Sequence, residues 1–96
     1  MKVTVKVFGV QELVAKMGGN REIEIDFPGG NVSNLFSSLL ERFGFRLENF
    51  PLLVNWEQNP SITILHNGEI LNKEDYAREI LKDGDRVSFL LYTGCC

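Results

Sequence analysis

Apolar and polar residues alternate from the start of the chain. Val3, Val5 and Val7 interleave with Lys2, Thr4 and Lys6. A period of two puts one set on each face of a strand, which predicts a half-buried β-strand. The alternation stops in GVQELVAKMGGN, residues 9–20. There Leu13, Val14 and Met17 share one turn of helix, and Gly18-Gly19 closes it. Alternation resumes in REIEIDF, with Ile23, Ile25 and Phe27 on one side and Glu22, Glu24 and Asp26 on the other. The first strand's outer row is basic and the second's is acidic, so antiparallel pairing sets opposite charges face to face. Pro28-Gly29-Gly30 ends the second strand.

The pattern then changes period. In NVSNLFSSLLERFG, Val32, Leu35, Phe36, Leu39, Leu40 and Phe43 recur every three or four residues, the stripe of an amphipathic helix. Asn31 suits the N-cap, Arg42 the last turn and Gly44 the C′ position. Such a stripe cannot be buried alone and requires a sheet face. Residues 45–61 carry no clear period. Pro51 and Pro60 exclude a long helix, yet Phe45, Leu47, Phe50, Leu52, Leu53, Val54 and Trp56 must pack somewhere. A short helix and a loop lid both stay open.

ITILHNGEIL reads as a hairpin turning at Asn67-Gly68, since a type I′ turn needs positive φ at both central positions. KEDYAREIL holds one or two helical turns, KDGD is a tight turn, and RVSFLLYTG is the last strand. With Val87, Phe89 and Leu91 pointing inward, Leu90 and Tyr92 point outward beside the tail. Two accounts of that outer pair stay open: a partner site, or a surface covered by residues 45–56. The helix lies between two pairs of strands, so the first and last strands can lie side by side and parallel. The fold expected is α+β, a ubiquitin-like β-grasp with a mixed sheet of four to five strands packed on one main helix. Residues 1–96 form a single domain with a flexible tail over 93–96.

Composition narrows the function. The chain has 96 residues, 44% of them hydrophobic, which fits one folded domain and not a disordered segment. Net charge is −3, and the basic residues are scattered. Nucleic acid is therefore not an expected partner, because it needs a basic face. MKVTVKVFGV lacks the apolar core of a signal peptide, and no stretch reaches membrane-span length, so a cytoplasmic protein is expected. The two cysteines, Cys95 and Cys96, are adjacent. A disulfide between neighbours is strained and cross-links nothing. Neighbouring thiolates rarely meet one tetrahedral metal, and the other soft ligand is a lone histidine, His66. No metal or cofactor is expected, and His66 reads as structural.

The turn HNGEIL, the turn and strand DGDRVSFL, the opening strand with its helical loop, and PGGNVSNLFSSLLERF occur in an order that resembles the MoaD/ThiS family. This family comprises the molybdopterin-synthase small subunit, the thiamine-pathway sulfur carrier and their ubiquitin-like relatives. The resemblance covers essentially the whole chain. It rests on the order of common motifs and on their distance from the C-terminus. It implies a carrier without enzymatic activity of its own, whose C-terminal glycine is adenylated and becomes a thiocarboxylate. Glycine suits that tail because a residue without Cβ lets backbone pass a narrow channel. Thr93-Gly94 match the family's tail, whereas Cys95 stands at the second glycine and Cys96 lies one residue beyond.

Three readings follow. A protease removes Cys95-Cys96 and Gly94 becomes the activated terminus, with Thr93 as spacer. Alternatively Cys95 and Cys96 carry sulfur as a persulfide. In the third, the chain is a β-grasp interaction module without tail chemistry. For the carrier, docking is expected through Phe89, Leu90, Tyr92 and Thr93. Its implied partners are an E1-like adenylating enzyme with ATP, a sulfurtransferase, a processing protease and an acceptor such as the large molybdopterin-synthase subunit. Membranes are not among them.

Overall fold

The computed structural model describes residues 1–46, 48, 54–59 and 62–91. Along the chain run β1 (Lys2–Phe8), α1 (Gln11–Lys16), β2 (Glu22–Asp26), α2 (Val32–Arg42), β3 (Ile62–His66), β4 (Glu69–Leu71) and β5 (Arg86–Leu91). Short 3₁₀ turns occupy Trp56–Gln58 and Lys73–Asp75. The strands form one five-stranded sheet in the order β2-β1-β5-β3-β4. β1 and β5 pair in parallel at its centre, and the other neighbours pair antiparallel. With α2 against one face, this is the ubiquitin-like β-grasp topology.

The alternation read in the sequence survives as two faces. Val3, Val5 and Val7 of β1, Ile62 and Ile64 of β3, and Val87, Phe89 and Leu91 of β5 are buried on the inner face. Opposite them lies the α2 stripe of Val32, Leu35, Phe36, Leu39 and Leu40. Burying each large apolar side chain contributes about 1.5–3 kcal/mol. An aromatic column crosses the layers. Phe36 lies 4.9 Å from Phe89 and 4.6 Å from Trp56, and Trp56 stacks on Tyr76 at 5.6 Å.

The outer rows of β1 and β2 pair as their charges require. Lys2 Nζ is 2.9 Å from Asp26 Oδ1, and Lys6 Nζ is 3.6 Å from Glu22 Oε1.

Both ends of α2 are sealed. Asn31 Oδ1 accepts from the Asn34 N–H at 2.8 Å, and Asn34 Oδ1 accepts from the Asn31 N–H at 3.1 Å, a reciprocal capping box. At the other end the Phe45 N–H donates to Leu40 O and the Gly44 N–H to Glu41 O. That is a Schellman motif, and the side chains of both Phe45 and Leu40 are buried. The start of α2 is also tied to the segment before β5. Ser33 N–H donates to Tyr76 O, Leu81 N–H to Gly30 O, and Asn31 Nδ2 to Ala77 O.

The β3–β4 turn has φ of 53° at Asn67 and 87° at Gly68, both positive as the type I′ turn requires. KEDYAREIL forms a 3₁₀ turn and further turns, anchored by buried Tyr76 and Leu81. In the segment of unclear period, Trp56 packs on the inner side of the sheet with Phe36. It therefore does not lie over the outer face that Leu90 shares. Leu47, Phe50, Leu52, Leu53, Pro51 and Pro60 lie outside the described residues.

Candidate functional site

β5 is the strand that delivers the tail, and its alternation defines the surface beside that tail. Arg86, Ser88 and Leu90 face outward, while Val87, Phe89 and Leu91 face the core. Leu90 sits in a row across the sheet with Phe8 of β1 and Thr63 of β3. The next apolar pair on this face is Leu65 with Ile70, and Ile70 is 73% exposed. An apolar stripe thus runs across the outer face next to the point where β5 ends. Because β1 is parallel to β5, the end of β1 reaches the same edge. There a hollow of about 280 Å³ is lined by Phe8, Val10, Val14 and Arg21, among others.

The residues expected to act divide accordingly. Leu90 lies on the outer face, half-buried by its neighbours. Phe89, expected among the docking residues, is corrected: it is fully buried against Phe36, because strand parity turns it inward. Tyr92, Thr93, Gly94, Cys95 and Cys96 lie outside the described residues. Phe8 joins the stripe without having been singled out from the sequence. The signal was present, since Phe8 has the same parity in β1 as the outward Lys6.

At the opposite end of β5 a polar cluster holds three turns together. His66 Nε2 lies 2.9 Å from Asp85 Oδ2, and Nδ1 lies 3.2 Å from Glu79 Oε1. A ring with a hydrogen on each nitrogen donates to both carboxylates, whereas a neutral ring donates to one. Asp85 also accepts from the Lys82 N–H at 2.8 Å and from Asn67 Nδ2 at 3.2 Å. Burial pushes the Asp85 carboxyl upward. The hydrogen bonds from His66, Lys82 and Asn67 outweigh that, and hold it below the ordinary carboxylate value. Asn67 Oδ1 in turn accepts from the Arg86 N–H at 2.9 Å. His66 thus ties the end of β3 to Glu79 and Asp85 in the segment before β5, while Asn67 fixes the start of β5 against the β3–β4 turn. The carboxylates of Glu79 and Asp85 are occupied by that ring. No group of three or more His, Cys, Asp and Glu among the described residues is placed to hold a metal ion. No helix among them is long and apolar enough to cross a membrane.

A mixed five-stranded sheet packed on one main helix defines a protein of the ubiquitin-like β-grasp class. The ThiS family model matches residues 5–92, and the chain belongs to that family. Its members are small carrier proteins that work with partner enzymes.

Solved structures agree in fold. Small archaeal modifier protein 1 of Haloferax volcanii superposes with a TM-score of 0.65 at 21% identity, covering 93% of this chain and 94% of that one. A putative molybdopterin converting factor subunit 1 of Pyrococcus furiosus gives 0.59 at 25% identity, covering 94% and 95%. In the complex of subunits 1 and 2 of the molybdopterin-converting factor from Helicobacter pylori, the matching chain gives 0.54 at 24% identity, covering 100% and 97%. No curated protein is matched by the sequence.

Proposed function

We propose that this protein is a sulfur carrier whose Gly94 is the activated terminus, exposed when a protease removes Cys95-Cys96. A carboxylate is a poor acyl donor. An E1-like adenylating enzyme joins the Gly94 carboxylate to AMP from ATP and releases pyrophosphate. The terminal sulfur of a sulfurtransferase persulfide then attacks the acyl carbon and AMP leaves. A second thiol attacks the sulfurtransferase sulfur of the resulting acyl disulfide, forming a disulfide with it and releasing the thiocarboxylate. Thr93 is the spacer, and Leu90 with Tyr92 forms the docking surface at the root of the tail.

One observation carries this reading. In a ThiS-family chain, Thr93-Gly94 follows by one residue a strand whose outer face offers the Phe8–Leu90 row to a partner. The acceptor is an enzyme subunit that takes sulfur from the tail. The pairing of the Helicobacter subunit with its own partner supports a molybdopterin-synthase large subunit in that role.

The test is intact mass of the untagged protein isolated from its own cell. Loss of two cysteinyl residues, with sulfur replacing one carboxylate oxygen in a fraction of molecules, is the expected result. A full-length mass unchanged by ATP, sulfide and the adenylating enzyme would refute Gly94 activation. Extra sulfur on a full-length chain, lost on replacing Cys95 and Cys96 by serine, would assign the cargo to the cysteines instead.

A further inference from the structure

The outer face holds a second feature, at the end of β5 away from the tail. A basin of about 370 Å³ is lined by Thr4, Lys6, Glu22, Asn67, Arg86 and Ser88, among others. Two cations and two hydroxyls there meet one carboxylate. Glu22 offsets Lys6 only at 3.6 Å. Lys2, further along β1, is taken by Asp26. Asp85, the neighbour of Arg86 in sequence, turns away to His66, the Lys82 N–H and Asn67. Among the described residues no carboxylate pairs with the Arg86 guanidinium. Glu24 stands across from Thr4 at the margin of the basin, so the outer rows of β1 and β2 balance in sign, and Arg86 is left as the cation without an ionic partner there.

Arg86 and Leu90 lie on one face of one strand, four residues and so ~13 Å apart. Apolar contact at Leu90 and Phe8 is non-directional: it holds two surfaces together without fixing their rotation. A tail that must enter a partner's nucleotide site needs that rotation fixed. A charged contact at the far end of the same strand would fix it, because electrostatic complementarity sets register and steers encounter. The planar guanidinium suits a carboxylate, which it can meet through two hydrogen bonds, and Thr4 and Ser88 add hydroxyl donors.

We propose that the basin around Arg86, Lys6, Thr4 and Ser88 receives a carboxylate side chain of the adenylating enzyme and orients the docked carrier. This inference rests on the carrier reading above.

The test is binding kinetics of the full-length chain with the E1-like adenylating enzyme of its own cell, using wild type, R86A, R86E and L90D at low and high salt. The Arg86 side chain is exposed and its backbone N–H keeps its bond to Asn67, so the two Arg86 variants fold. We expect R86A to weaken binding about three- to fivefold, the scale of an exposed ion pair. R86E should weaken it about tenfold or more, mainly in the association rate, with the difference shrinking at high salt. Wild-type affinity and salt dependence in R86E, with L90D impaired, would overturn the basin and leave the carrier reading standing. A defect of R86E confined to the sulfur acceptor would also overturn it, by assigning the basin to that partner. No binding of the wild type, together with no adenylation of a chain ending at Gly94, would overturn the carrier reading and this inference together.

Discussion

Asp85 shows how one carboxylate holds a corner of the molecule. It joins a ring nitrogen of His66, the backbone of Lys82 and the side chain of Asn67, so its charged form is favoured in the fold. Its folded value lies below the ordinary 3.8, and between the two values the unfolded chain binds the extra proton. That stability is therefore complete above the ordinary value and is lost as pH falls through the folded one. An acid titration of Tm should show wild type losing stability more steeply than D85N below about pH 3.8. Near neutrality D85A leaves several donors unsatisfied and should cost about 1–3 kcal/mol by denaturant melts.

Elements were legible where their period was unbroken. β1, β2 and α2 follow directly from alternation and from the stripe of Val32 to Phe43. The Asn67-Gly68 turn follows from the φ values it demands. The His66 cluster was not legible, because residues 66, 67, 79, 82 and 85 meet through three separate turns and no local spacing links them. The role of Trp56 was also hidden. Its 3₁₀ turn exists because the indole fits between Phe36 and Tyr76, a tertiary cause. At the candidate site, parity placed Leu90 outward and should have excluded Phe89. Arg86 needed the structure, which shows where Asp85 goes instead.

The cap of α2 yields a prediction of its own. Gly30 has φ of 132°, and a Cβ there would lie 2.5 Å from Asn34 Oδ1, inside the capping box. G30A should therefore displace Asn34 and strain the backbone, costing about 1–3 kcal/mol. N34A, which loses only the reciprocal bond, should cost about 1 kcal/mol. Thermal melts of the two variants separate the clash from the cap.

For the molecule as a whole, the two faces of β5 divide the work. The inner face builds the core and, in the function proposed, the outer face meets partners, so adjacent residues should fail in different assays. F89A empties the sheet end of the aromatic column and should lose about 3–5 kcal/mol. That is a large share of the roughly 5–15 kcal/mol that holds a domain of this size. L90A should melt close to wild type while binding the adenylating enzyme more weakly. Equal melting losses in the two variants would mean that Leu90 is a core residue.

The central pair has a mechanical consequence. β1 begins at the edge of the sheet opposite the one at which β5 ends, and the two strands run parallel in contact. A pull between the start of β1 and the end of β5 therefore slides one strand lengthwise past the other. All the hydrogen bonds of the pair share the load at once, whereas a pull across a strand end would peel them one by one. A partner that draws on the tail thus meets a body built to resist being unravelled from that end.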